Sequence, residues 1–180
     1  MSYEYDGLDA YISALENWLQ PELTRAYDEA VFPDGTWRLA MGVLVFGRYV
    51  DRFVRLGVPS LLATGNLPAL EGTLVIIHTD EPGAEHMAEA VAKLRAVATV
   101  EVHILPADLL AKAVEHPANK YWLLSAAHAL HMHQAKYRGF AYHMLMPDHI
   151  YATGFFAGVK RLAEEGREAV IQCNISARLE

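Results

Sequence analysis

The sequence predicts an α/β domain with a mostly parallel, open sheet covered by helices on both faces and preceded by an N-terminal helical arm. Three observations carry this expectation. Short apolar runs alternate along the chain with longer stretches of helical periodicity, and strand alternating with helix implies crossover connections and parallel pairing. The apolar runs are continuous instead of alternating with polar residues, as strands covered on both faces require. The first, second and fourth runs lead into Gly47, Thr79-Asp80 and Asp148, and in open α/β sheets ligands bind outside the carboxyl ends of the strands.

The elements follow in order. Leu8, Ile12, Leu15 and Leu19 recur at helical spacing. Pro21 interrupts at a position suited to the first turn of a second helix, over 21–31, and Pro33-Asp34-Gly35 is a turn. Residues 1–36 are thus expected to form the arm, and 37–180 the α/β domain. Residues 39–46 form a compact apolar run ended by Gly47, a buried strand, and 48–63 read as a helix with a break near Gly57 and Pro59. A loop, 64–68, leads to a second strand at 73–77 that closes on His78-Thr79-Asp80. An amphipathic helix over 82–96, a third strand at 100–105, a short helix at 109–114 and a long one at 118–137 come next. The fourth strand, 141–146, runs into Pro147-Asp148-His149, a helix covers 154–165, Gly166 caps it, and 169–175 reads as a fifth strand.

Composition bounds the function. With 53% hydrophobic residues in 180, the chain can bury one substantial core. A formal charge of −7 argues against general nucleic-acid binding, which needs a basic footprint. No stretch is long and apolar enough to span a bilayer. The acidic N-terminus lacks the basic and apolar regions of a signal peptide, and the single cysteine, Cys173, excludes an internal disulfide. A cytoplasmic location is the expectation. Self-association through the N-terminal helices is a further expectation.

Four groups carry candidate chemistry. A carboxylate at a strand end, as in Asp148-His149, can hold a divalent cation against a diphosphate; Pro-Asp is equally common as a turn or helix cap. Thr79 and Asp80 can bind a ribose or a base edge, or can cap the helix that starts near Pro82. His128, His131 and His133 invite a metal assignment, but at about 100° per residue the first two lie roughly 60° apart and the last two roughly 160° apart. One ion cannot take all three. Lys136-Tyr137-Arg138 is a basic helix end that suits the helix dipole, and Arg138 is also placed to meet a phosphate. Neither a glycine-rich phosphate fingerprint nor a Gly-x-Ser-x-Gly elbow is present.

Taken together, the chain resembles the GT-A-fold glycosyltransferases, the nucleotide-diphospho-sugar transferases, which are Rossmann-like. The resemblance lies in the first strand ending near Phe46-Gly47, the stretch 59–68, the second strand ending in Thr79-Asp80, and a long helix with a basic end leading into a strand that stops at Asp148. It implies a nucleotide-sugar donor over the strand ends, with Gly47, Arg48, Asn66, Thr79, Asp80 and Arg138 as donor-binding residues. It also implies a divalent cation, Mn or Mg, on Asp148 and His149, which would be the catalytic pair. Asp148 matches the first acid of the family's Asp-x-Asp motif; the second acid position is Ile150. The chain stops soon after this strand, whereas the acceptor-binding half and base of such enzymes come later. The expectation is therefore a nucleotide-sugar-binding domain of a transferase acting on an unidentified acceptor, truncated or degenerate. The alternative is a non-catalytic Rossmann-like module that binds a nucleotide or a protein.

Overall fold

A computed structural model describes residues 8–24 and 38–166. The expected fifth strand at 169–175, Cys173, the turn at Pro33 and most of the expected second arm helix lie outside these residues. Four strands, β1 (Leu39–Leu44), β2 (Leu74–Thr79), β3 (Thr99–Ile104) and β4 (Ala141–Leu145), form one sheet in the order β3-β2-β1-β4. Every pair is parallel: Gly42 lies beside Ile76 and Met144, and Ile76 beside Glu101. This is the expected Rossmann-like α/β class. β1 and β2 are buried along their whole length because they are central, and β3 and β4 are partly exposed edges.

One sheet face presents Met41, Val43, Val75, Ile77 and Leu145 to α2 (Tyr49–Arg52), α3 (Val58–Leu62), α4 (Glu81–His86), α5 (Ala88–Arg95) and α8 (Phe155–Glu164). The other face presents Ala40, Gly42, Leu44, Leu74, Ile76 and His78 to α1 (Leu8–Thr24), α6 (Ala107–Glu115) and α7 (Pro117–Tyr137). The connections from β1 to β2 and β2 to β3 cross the first face, and the connection from β3 to β4 crosses the second. Chain direction through the sheet therefore reverses between β1 and β4. A crevice opens at such a switch point, beyond the carboxyl ends of the two strands.

Several helices depart from expectation. α1 is one helix that carries Pro21 inside it. The ring costs a backbone bond, yet the last turn is held from outside: His133 Nε2–H donates to the Leu23 carbonyl at 3.0 Å. The expected break near Gly57 is a π-helical turn, Phe53–Gly57, which joins α2 to α3. A Cβ at Gly57 would stand 2.8 Å from the Phe53 ring and 3.6 Å from the Pro147 carbonyl, so glycine lets the π turn lie close to the end of β4. The single helix expected over 82–96 is divided at Met87 into α4 and α5. No helix among the described residues is long and apolar enough to cross a membrane.

Candidate functional site

A cleft of about 500 Å³ occupies the switch point. Its floor is Leu44, Phe46 and Gly47 at the end of β1 and Met146, Pro147 and Asp148 at the end of β4; its walls are Arg48 and Tyr49 on one side and Val114, His116, Lys120, Tyr121 and Leu124 on the other. Gly47 has φ +56° and nothing within 4 Å of where its Cβ would stand. The left-handed backbone demands glycine there, and its open side leaves the backbone accessible.

Asp148 is not a helix cap. It is the third residue of a tight turn closed by His149 N–H donating to the Met146 carbonyl at 3.1 Å, and α8 begins only after Gly154. The carboxylate is exposed, lines the cleft and has no ion-pair partner among the described residues. Two cations line the same cleft without a carboxylate partner among the described residues. The Arg48 guanidinium lies 5.3 Å from the Tyr49 ring centroid, and Lys120 Nζ lies 5.0 Å from that of Tyr121. Aromatic faces hold cations in this way while leaving their N–H groups free to donate. His116 adds a fourth polar group. Its Nδ1 accepts the Ala118 N–H at 3.2 Å as the cap of α7, so in the neutral ring the proton sits on Nε2.

The other residues that the sequence singled out lie elsewhere. Asn66 is fully buried: its Nδ2 donates to the carbonyls of Ser60 (2.7 Å) and Ala152 (3.1 Å), and its Oδ1 accepts the Phe156 N–H at 3.2 Å. Those bonds join the loop after α3 to the start of α8 and leave the side chain nothing to offer a donor sugar. Asp80 caps α4 by accepting the Gly83 N–H at 3.0 Å, and Thr79 is buried beside it, 3.4 Å from the same carboxylate. A Cβ on Gly83 would collide with both side chains. This is the capping alternative, and neither residue lines the cleft. Arg138 is paired with Glu101 of β3 at 3.0 Å. It precedes β4 whereas Asp148 follows it, and five residues of strand at about 3.3 Å each put roughly 16 Å between the two edges. His149 does not line the cleft; its ring lies 6.4 Å from that of Tyr151, centroid to centroid, and near His143. Burial first, then the neighbouring His149, depress the His143 pKa to about 4.

The divalent cation implied by the family resemblance does not fit this donor set. Asp148 lines the cleft and His149 does not, and no group of three His, Cys, Asp or Glu side chains among the described residues is arranged to hold a metal. Of the eight residues expected at the site, Gly47, Arg48 and Asp148 meet at the cleft. His116, Lys120 and Tyr121 escaped sequence reading. The available signal was topological: a crossover that ends in a switch-point strand must start its last helix at the carboxyl edge, so the first turns of α7 had to reach the cleft. No family model, no curated protein and no solved structure matches the chain.

Proposed function

We propose that the chain is a nucleotide-binding domain whose ligand lies in the cleft between the ends of β1 and β4. The observation that carries this reading is the cleft's inventory at the switch point, among the described residues: Arg48 and Lys120 without a carboxylate partner, rings of Phe46, Tyr49 and Tyr121, and one carboxylate, Asp148. Phosphate suits the cations, a base suits the aromatic walls, and a carboxylate accepts from ribose hydroxyls or a base amino group. A nucleotide-sugar is the finer form of the same ligand, and sugar transfer to an acceptor the finer form of the function. The binding reading is favoured over the transferase because Asp148 is the single acid on the cleft among the described residues.

A thermal-shift panel of ATP, UDP and UDP-glucose, with and without Mn²⁺, tests the proposal. A ligand that binds there, at about 100 times its Kd, stabilises the fold by roughly 2.7 kcal/mol. Lys120→Ala should weaken that ligand at least several-fold, and no stabilisation by any member of the panel defeats the reading. Asp148→Ala, in an exposed turn, should change stability by no more than about 0.5 kcal/mol. If its affinity falls with and without Mn²⁺, the carboxylate meets the nucleotide directly. A fall confined to Mn²⁺ moves the reading toward a transferase, and unchanged affinity removes Asp148 from the site.

A further inference from the structure

The sheet face under α7 carries chemistry that the cleft does not use. Where an α/β core ordinarily holds aliphatic side chains, this one holds imidazoles. His78 comes from β2, His103 from β3, and His128 and His131 from α7. His78 and His131 are 3% and 0% exposed, and His78 Nδ1 and His131 Nε2 share a hydrogen bond of 2.7 Å. His103 stacks on His78 with ring centroids 4.8 Å apart. His128 meets His131 edge-on at 5.6 Å and bonds through Nδ1 to the Tyr142 hydroxyl of β4 at 2.8 Å. Nδ1 of His131 and Nε2 of His128 are buried with no hydrogen-bond partner among the described residues.

Among the described residues the surroundings offer a proton on these rings no carboxylate that is not already engaged. From α1 the Trp18 ring closes over His78 edge-on at 5.6 Å. β1 contributes Gly42, against which the His131 ring lies so closely that a Cβ would overlap it. The facing carboxylate is Glu101 of β3, and it is already shared by Arg138 at 3.0 Å and His103 at 3.4 Å. A charged imidazole at His78, His128 or His131 would therefore stand buried and unpaired, which is costly.

We propose that this cluster is a proton-operated latch that releases α7, one wall of the cleft, from the sheet in mildly acid solution. The latch bears on ligand release through the reading of the cleft as the binding site; the latch itself does not require that reading. While α7 is docked, burial keeps all three rings neutral. Once α7 lifts, each ring regains an ordinary value near 6.5, so lowering the pH to 5.0 favours the lifted state by about thirtyfold per histidine, on the order of 10⁴ for three. The opposite sheet face keeps its own aliphatic core, centred on Met41, Val43, Val75 and Ile77. The sheet can therefore persist while α7 leaves, and α1, which packs on α7, should leave with it.

Amide hydrogen exchange on the full chain at pH 7.5 and 5.0, corrected for the intrinsic rate, decides the matter. The expected result is that 117–137 and 8–24 lose protection by a factor of 10³ or more, while 39–44 and 74–79 keep theirs. Retained protection of α7 at pH 5.0 overturns the proposal, and so does simultaneous loss across all four strands, which is ordinary acid unfolding. His78→Phe removes one titrating ring and should cut the acid response of α7 about thirtyfold; an undiminished response also counts against the latch. Exchange is read without nucleotide, so a failed latch leaves the binding proposal standing, and failure of ATP or UDP-glucose to bind leaves the latch standing.

Discussion

Gly47 and Asp148 each come just after an apolar strand, and parallel strands bring such ends to one edge, so the two line one cleft. Asn66, Thr79 and Asp80 have side chains that serve ligands and local backbone equally well, and only the folded chain shows that the backbone took them. Asn66 makes this testable. Asn66→Ala deletes two donors and one acceptor at a fully buried point, leaving the Phe156 N–H and the carbonyls of Ser60 and Ala152 without their partner. Each stranded buried group costs about 1–3 kcal/mol, so urea denaturation should show a loss of about 2 kcal/mol or more. Nucleotide affinity of the folded variant should equal that of the parent. A variant of parental stability that binds more weakly would return Asn66 to the ligand.

At the scale of elements, the strands were legible because continuous apolar runs have few other uses, and the observed β1 to β4 fall within two residues of the expected starts and ends. Helix continuity was not. Whether a chain breaks at Pro21 or Gly57 depends on what packs alongside: α1 is held by His133, and the π turn presses on the Pro147 loop. The seat of α7 depends in the same way on Gly42, a residue that in sequence is only a gap in an apolar run. Gly42→Ala would drive a methyl into His131 from its ring to its Cβ, 2.7 Å away, so the helix itself has to shift. Overpacking of this kind costs about 1–3 kcal/mol, to be read as a lower midpoint in urea. Gly158→Ala is the control of opposite sign: Gly158 lies inside α8 with nothing within 4 Å of its would-be Cβ, and the change should stabilise by about 0.5–1 kcal/mol. Equal effects of the two substitutions would show that α7 does not rest on Gly42.

For the whole molecule, the α/β class and the parallel pairing followed from the sequence, and the polar interior did not. Helical spacing placed His128 and His131 on one face of α7, but their partner His78 sits 53 residues away from His131 in the chain, and only strand order and register bring it beneath them. That interior sets the dependence of stability on pH. Burial lowers His78 to about 3 and His128 to about 4, lowers His131 well below the usual imidazole range, and with His149 lowers His143 to about 4. Groups whose folded values lie below their unfolded value, near 6.5, take up protons on unfolding as soon as the pH drops beneath it. Their contribution is complete above about pH 6.5 and declines as acid is added, by about 1.4 kcal/mol per pH unit for each proton bound only by the unfolded chain. Glu101, depressed by its hydrogen bond to His103 and by Arg138, adds a further loss below about 4.5 with the same sign. On the alkaline side burial raises Tyr11 to about 12, and Tyr142 and Tyr151 higher still. The unfolded chain then loses phenolic protons first, and stability falls as the pH rises beyond about 10. Urea denaturation from pH 4 to 11 should therefore give a plateau between about 6.5 and 10 with a decline on either side. Constant stability from pH 7 down to 5, or a maximum below pH 6, would mean that the imidazoles are already charged or solvated in the folded chain, and that the interior under α7 is not the dry, neutral cluster described above.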